Sequence, residues 1–137
     1  MATDTDTEQQ FLEIARCYRR PAYFVERYCK IEDAQIGDWI AFELWRAQAD
    51  VLRVFQDSRL SVVLKARQLG LSWLVLAWAL WLMLFRPSAT VLLISRRDDE
   101  AIHMLDHRLK GMAKRLQDFL RPQVSGKDNE HVWELES

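Results

Sequence analysis

Leu60-Ser61-Val62-Val63-Leu64-Lys65-Ala66-Arg67-Gln68-Leu69-Gly70-Leu71-Ser72 is the stretch on which the reading of this chain turns. Its first five residues are a short apolar run with β-branched members, the composition of a strand buried on both faces of a parallel sheet. Lys65 to Gly70 read as a turn. From Leu69 to Phe85 the sequence is LGLSWLVLAWALWLMLF, seventeen residues without a charge, which reads as a fully buried helix. A strand, a glycine-bearing turn and a helix in that order form the layout of a phosphate-binding loop. The first N–H groups of the helix lack partners and carry partial positive charge, which suits an anion.

Downstream, Pro87 closes the helix and Thr90–Ile94 (TVLLI) repeats the pattern of a buried strand. Ser95-Arg96-Arg97-Asp98 opens a long helix to about Leu120, where Ile102, Leu105, Leu109, Met112, Leu116 and Phe119 step by three and four residues. Pro122 stops it, a polar loop runs through Asn129, and His131–Leu135 alternates like an edge strand. Upstream, a helix is expected from Thr5 to Arg20, with Phe11, Leu12, Ile14, Ala15 and Tyr18 on one side. Pro21 starts the next, carrying Tyr23, Phe24 and Tyr28 to about Ile31. Gly37-Asp38 marks a turn before the apolar run Trp39–Phe42, and residues 44–56 form a helix with Leu44, Ala47, Val51, Leu52 and Phe55 inward. The expected fold class is α/β: a partial three-layer sandwich with a parallel sheet of the P-loop NTPase type, its strands joined by right-handed βαβ crossovers. Residues 1–35 are expected to be the helical lead-in and 36–137 the core that carries the sheet.

Half of the 137 residues are hydrophobic, enough for one domain with a sizeable core. The formal net charge of −1 gives no signature of a dedicated nucleic-acid-binding module. Cys17 and Cys29 lack CxxC spacing and read as small buried hydrophobes, which sets aside a disulfide framework or a cysteine zinc site. The opening MATDTDTEQQ is polar and acidic, unlike a signal peptide, so an intracellular protein is expected. The uncharged run at 69–85, flanked by Arg67 and Arg86, sits at the short edge of a membrane span. A non-enzymatic membrane-associated protein is therefore an alternative, although Trp73, Trp78 and Trp81 spread through the run instead of gathering at its ends.

Against the pattern GxxxxGK[ST], the turn keeps the second glycine (Gly70) and the hydroxyl (Ser72). Lys65 replaces the first glycine and Leu71 the lysine. Lys65 and Arg67 stand at the end of an apolar strand, where a charge is costly unless paired, and a phosphate supplies that pairing.

The string Val63-Leu64-Lys65-Ala66-Arg67-Gln68-Leu69-Gly70-Leu71-Ser72 resembles the deviant Walker A loop of tailed-phage terminase large subunits, in one branch of which the lysine has moved to the first position. Pro21-Ala22-Tyr23-Phe24 and Phe42-Glu43-Leu44-Trp45-Arg46-Ala47-Gln48 resemble the segments that precede that loop, and Val91–Ser95 with the helix from Ala101 resemble the next strand and helix. The similarity runs over roughly residues 18 to 137. It implies a motor that hydrolyses ATP to drive double-stranded DNA into a procapsid. Lys65 and Arg67 would act on the phosphates, Lys65 at the β- and γ-positions and Arg67 as sensor of the γ-phosphate. Lys65, Ala66, Arg67, Gln68, Leu69, Gly70, Leu71 and Ser72 would surround the phosphates, Ser72 would hold Mg²⁺, and Gln48 would contact adenine. The resemblance further implies a portal protein, a terminase small subunit and further copies of the chain as partners, no membrane, and the host-cell cytoplasm as location. No apolar strand ending in Asp-Glu occurs after it within these residues, so the ATPase core is expected to be cut before its Walker B strand and inactive alone. A helicase-like translocase with the same core is the nearer alternative.

Two further constellations have ordinary readings. His103 and His107 stand one turn apart, like an inverted zinc-protease motif, and read as a solvated helix face, with no suitably placed third ligand. Arg108, Lys110, Lys114, Arg115 and Arg121 form a basic cluster that reads as another solvated face, with DNA phosphate contact as the alternative.

Overall fold

Thr3 opens the first helix, α1 (Asp4–Arg19), through a reciprocal cap: its hydroxyl accepts the Asp6 N–H and the Asp6 carboxylate accepts the Thr3 N–H. The computed structural model describes residues 3–64 and 70–136. Pro21, at a first helical position where no N–H is needed, starts α2 (Pro21–Tyr28). A tight antiparallel hairpin comes next, β1 (Lys30–Asp33) paired with β2 (Asp38–Ala41). Its turn is organised by Asp33, whose Oδ1 accepts the N–H groups of Gln35 and Ile36. Then come α3 (Arg46–Asp57) and the apolar α4 (Leu71–Phe85). The long downstream helix has three parts: α5 (Asp98–Ile102), a π-helical stretch over His103–Leu109, and α6 (Lys110–Lys114). A 3₁₀ turn at Asp118–Leu120 leads to a second antiparallel hairpin, β3 (Val124–Asp128) with β4 (Trp133–Leu135).

The core is built around α4, which packs against α2, α3 and the π-helical stretch. Only Ser72 and Val75 of its fifteen residues are exposed. One cluster joins Cys17, Phe24 and Val25 from the first two helices to Leu74, Leu80 and Trp81 of α4 and to Leu109, Met112 and Leu116 downstream. Trp81 donates from Nε1 to the Cys17 carbonyl at 2.8 Å and stacks on Trp78 at 5.0 Å, so its polar edge is satisfied in the interior. The stripe from Ile102 to Phe119 faces inward as its spacing predicts, and both cysteines are buried. The hairpin β1–β2 is pinned by Trp39, whose ring meets Trp73 edge-on and lies 3.9 Å from the Arg115 guanidinium carbon. Gly111 makes room for it: a Cβ there would lie 2.6 Å from the indole.

The expected α/β sandwich is not what forms. Among the described residues there is no parallel sheet, only two antiparallel hairpins set on a helical body. Leu60–Leu64 and Thr90–Ile94 are apolar and β-branched as a buried strand should be, yet neither is a strand. A strand exists only through a ladder with a neighbour, and neither segment pairs with any described strand. Leu60, Val62, Leu64, Leu92 and Ile94 are largely exposed. The strand expected at 131–135 is present as β4, but its partner β3 lies in the stretch that reads as a polar loop. The helix expected to reach Ile31 stops at Tyr28 and gives way to β1. In α3 the inward side is shifted: Ala47 is exposed and Gln48 is buried.

At about 22 Å (1.5 Å per residue), α4 is shorter than the ~30 Å hydrocarbon layer, and no helix among the described residues is long and apolar enough to cross a membrane.

Candidate nucleotide-binding site

Gly70 is the N-cap of α4 and adopts a left-handed conformation, φ 66° and ψ 16°. A side chain is strained in that conformation, and no side chain caps this helix end. The Gly70 carbonyl accepts the Leu74 N–H at 3.1 Å, starting the helical ladder. The N–H groups of Leu71, Ser72 and Trp73 in the first turn therefore have no intrahelical acceptor.

Gln48 lies directly against this end. It stands in the first turn of α3, is only 5 % exposed, and its Oε1 accepts the Trp45 N–H at 2.9 Å, closing the N-terminus of α3. A Cβ built on Gly70 would lie 2.8 Å from Gln48 Nε2. Two independent features, backbone handedness and the Gln48 amide, thus reserve this position for glycine. Of the residues singled out from sequence, the structure brings together Gln48 and Gly70, with Leu71 and Ser72 next on α4. Lys65, Ala66, Arg67, Gln68 and Leu69 lie outside the described residues.

Leu71 points into the core and borders a small apolar cavity of about 200 Å³ with Val51, Phe55, Val63, Leu93 and Met104. Its side chain is thereby committed to packing. Ser72 is exposed, so its hydroxyl is open to a ligand. These groups fit a magnesium nucleotide in kind. Helix-end N–H groups suit a phosphate, and one hydroxyl is a normal protein share of a Mg²⁺ shell otherwise filled by phosphate and water. No cluster of three or more His, Cys, Asp or Glu suited to a metal occurs among the described residues.

Of the constellations farther along the chain, the histidine pair lies on an exposed helix face, as expected, while the basic cluster is partly taken up in packing. His103 and His107 stack at 4.8 Å, and His107 Nε2 lies 2.5 Å from Glu32 Oε2, tying the π-helical stretch to β1. Burial and the neighbouring Arg108 push the His103 pKa down. The basic cluster is not simply a solvated face. Lys110 is buried, its ammonium bound to Asp128 (2.5 Å), Asp106 (3.2 Å) and the Asn129 carbonyl (2.9 Å). Burial works against its charge, but the two carboxylates outweigh burial and raise its pKa. Arg108 lies over Trp73 and Arg115 over Trp39, each cation covering an indole face. Arg121 pairs with Asp118. Sequence reasoning missed the burial of Lys110 because one lysine within an amphipathic helix has no local mark; its carboxylate on the β3–β4 hairpin is eighteen residues away.

A larger cleft of about 760 Å³ opens at the other end of α4, between Met83–Leu93 and the β3–β4 hairpin. Asp98 and His131 meet across its edge at 3.2 Å. No protein-family model matches the chain.

Proposed function

We propose that this chain carries the ATP-binding loop of a DNA-packaging motor of the terminase large-subunit kind, with double-stranded DNA as its cargo. The observation that supports this reading is the seat of Gln48 on Gly70. The resemblance names these two positions separately, one as the base contact and one within the phosphate loop, and they lie side by side at the N-terminus of α4. The reading rests on the loop and not on the α/β sandwich.

Each residue then has a physical task. The N–H groups of Leu71 and Ser72 orient phosphate oxygens, and the exposed Ser72 hydroxyl takes one place on Mg²⁺. Lys65 and Arg67 supply the charge that Leu71 cannot. Gln48, buried beside Gly70, is the adenine contact in this reading, since an amide can both donate to and accept from a base edge. Bound ATP supplies the phosphoryl group whose transfer to water releases the free energy for translocation. Partners in this reading are a portal protein, a small terminase subunit and further copies of the chain.

Calorimetric titration with ATP and with inorganic triphosphate tests it. Lys65→Ala should weaken both ligands roughly ten- to a hundredfold, the equivalent of one charge-assisted hydrogen bond of about 1.5–3 kcal/mol. Gln48→Ala should weaken ATP more than triphosphate. Absence of saturable ATP binding by the unaltered chain would sink the reading.

A further inference from the structure

The cleft of about 760 Å³ at the far end of α4 has the volume of a binding site, since ligand sites run to roughly 300–1,000 Å³. Every residue from Thr90 to Leu93 borders it, and so does every residue from Val132 to Glu136. One row of side chains on an extended segment would contribute only alternate residues. Consecutive residues mean that the main chain itself forms part of both walls. Both walls also carry main-chain groups without a ladder. β4 has β3 on one side and no described strand on the other, and Val91–Ile94 exchange no main-chain hydrogen bond with any described residue. Leu93, Ile102, Leu105 and Leu109 make the lining between them apolar. Its charged residues are the acids Asp98, Glu130, Glu134 and Glu136 against Arg86, whose guanidinium lies over the Trp81 and Tyr18 rings. His131 adds an imidazole 3.2 Å from Asp98.

We propose that this cleft receives an extended segment of a partner protein, apolar in its middle and basic at its ends, which adds as a strand to the free edge of β4. Two observations select that occupant. The first is the main chain. An edge strand presents a row of unpaired N–H and C=O groups that template another strand, and strand addition draws its affinity from those bonds. A compact apolar molecule would fill the floor and leave them unmet. At about 3.3 Å per residue, walls of this length match a segment of about five residues. The second is charge. The four carboxylates outnumber Arg86 and His131 on the lining, which opposes acidic side chains on the guest and favours lysine or arginine. The site lies at the opposite end of α4 from Gly70 and does not depend on nucleotide.

The test is fluorescence anisotropy on the full chain with a labelled peptide of about seven residues, alternating valine and threonine with a lysine at each end. Two further peptides run alongside, one with glutamate at each end and one N-methylated at every central residue. The lysine-ended peptide should bind saturably, with a Kd of about 10–100 µM. Methylation removes the main-chain donors and should weaken binding by about tenfold or more, and glutamate ends should weaken it by a similar factor. The double variant Glu130→Lys, Glu136→Lys should reverse the preference between the lysine-ended and glutamate-ended peptides. Both side chains are exposed, so the fold should persist, and far-UV circular dichroism checks this. No saturable binding of the lysine-ended peptide would overturn the proposal. Binding indifferent to N-methylation would overturn it too, as the mark of an apolar surface that takes no strand, and so would an unchanged charge preference in a folded double variant.

Discussion

Replacing Gly70 with alanine tests the geometry on which the site rests, because two costs fall on one added methyl group. The first is conformational: a residue with a Cβ at φ 66° sits in left-handed space, at about 1–2 kcal/mol. The second is steric. The new Cβ would lie 2.8 Å from Gln48 Nε2, closer than such atoms approach. Gln48 is poorly able to yield, since it is buried and its Oε1 is held by the Trp45 N–H. Together these predict a loss of about 2–3 kcal/mol. Gln48→Ala alone loses the α3 cap and should cost about 1 kcal/mol. In the double variant the steric cost disappears, so its loss should fall short of the sum by about 0.5–1.5 kcal/mol, the coupling expected of groups in contact. Urea denaturation of the four proteins gives the cycle directly. Additivity within about 0.3 kcal/mol would mean that Gln48 and Gly70 do not touch, and the proposed site would fail with that contact.

The packing sets three other expected outcomes. Glu13 accepts hydroxyl hydrogen bonds from Tyr28 and Tyr23, which lower its pKa. A depressed carboxylate stabilises the fold above its unfolded value of about 4.3 and loses that contribution as pH falls through the lower folded value. Glu13→Gln should therefore flatten the acid limb of stability against pH, and an unchanged limb would exclude Glu13 as its source. Lys110→Ala should cost about 1–2 kcal/mol rather than the larger penalty of a stranded buried charge, since Asp106 and Asp128 are each about half exposed and stay hydrated; loss of folding in the same urea assay would contradict this. Burial pushes the Cys17 thiol up to about 12 and the Cys29 thiol higher still, so neither should react with a thiol reagent at pH 8 until the chain unfolds. Prompt labelling of the native protein would place them elsewhere.

The helices were legible where their signals are local. Pro21 marks a helix start, the uncharged run marks α4, and the three-four stepping from Ile102 to Phe119 marks the face that packs. Strands failed for the opposite reason. Val62, Val63, Val91 and Ile94 have strand composition, but a ladder is a contact with something distant in sequence, and composition cannot supply the neighbour. β3 shows the converse: its five residues are all exposed and carry no alternation to detect, and it forms because β4 pairs with it. At the site, the glycine and the hydroxyl were readable as motif positions. The burial of Gln48 was not, because a glutamine on a helix gives no sign that it faces inward; only its contact with Gly70 shows this.

The central claim is that the N-terminus of α4 binds nucleotide phosphate beside Gln48. The most direct test is a ¹⁵N-NMR titration of the chain with MgATP, tracking the backbone amides of Gly70, Leu71, Ser72 and Trp73 and the side-chain amide of Gln48. These five signals should move together and saturate, and they should stay still in the Lys65→Ala variant at the same ligand concentration. Movement confined to the Met83–Leu93 and Glu130–Glu136 cleft, or no saturable movement anywhere, would contradict it.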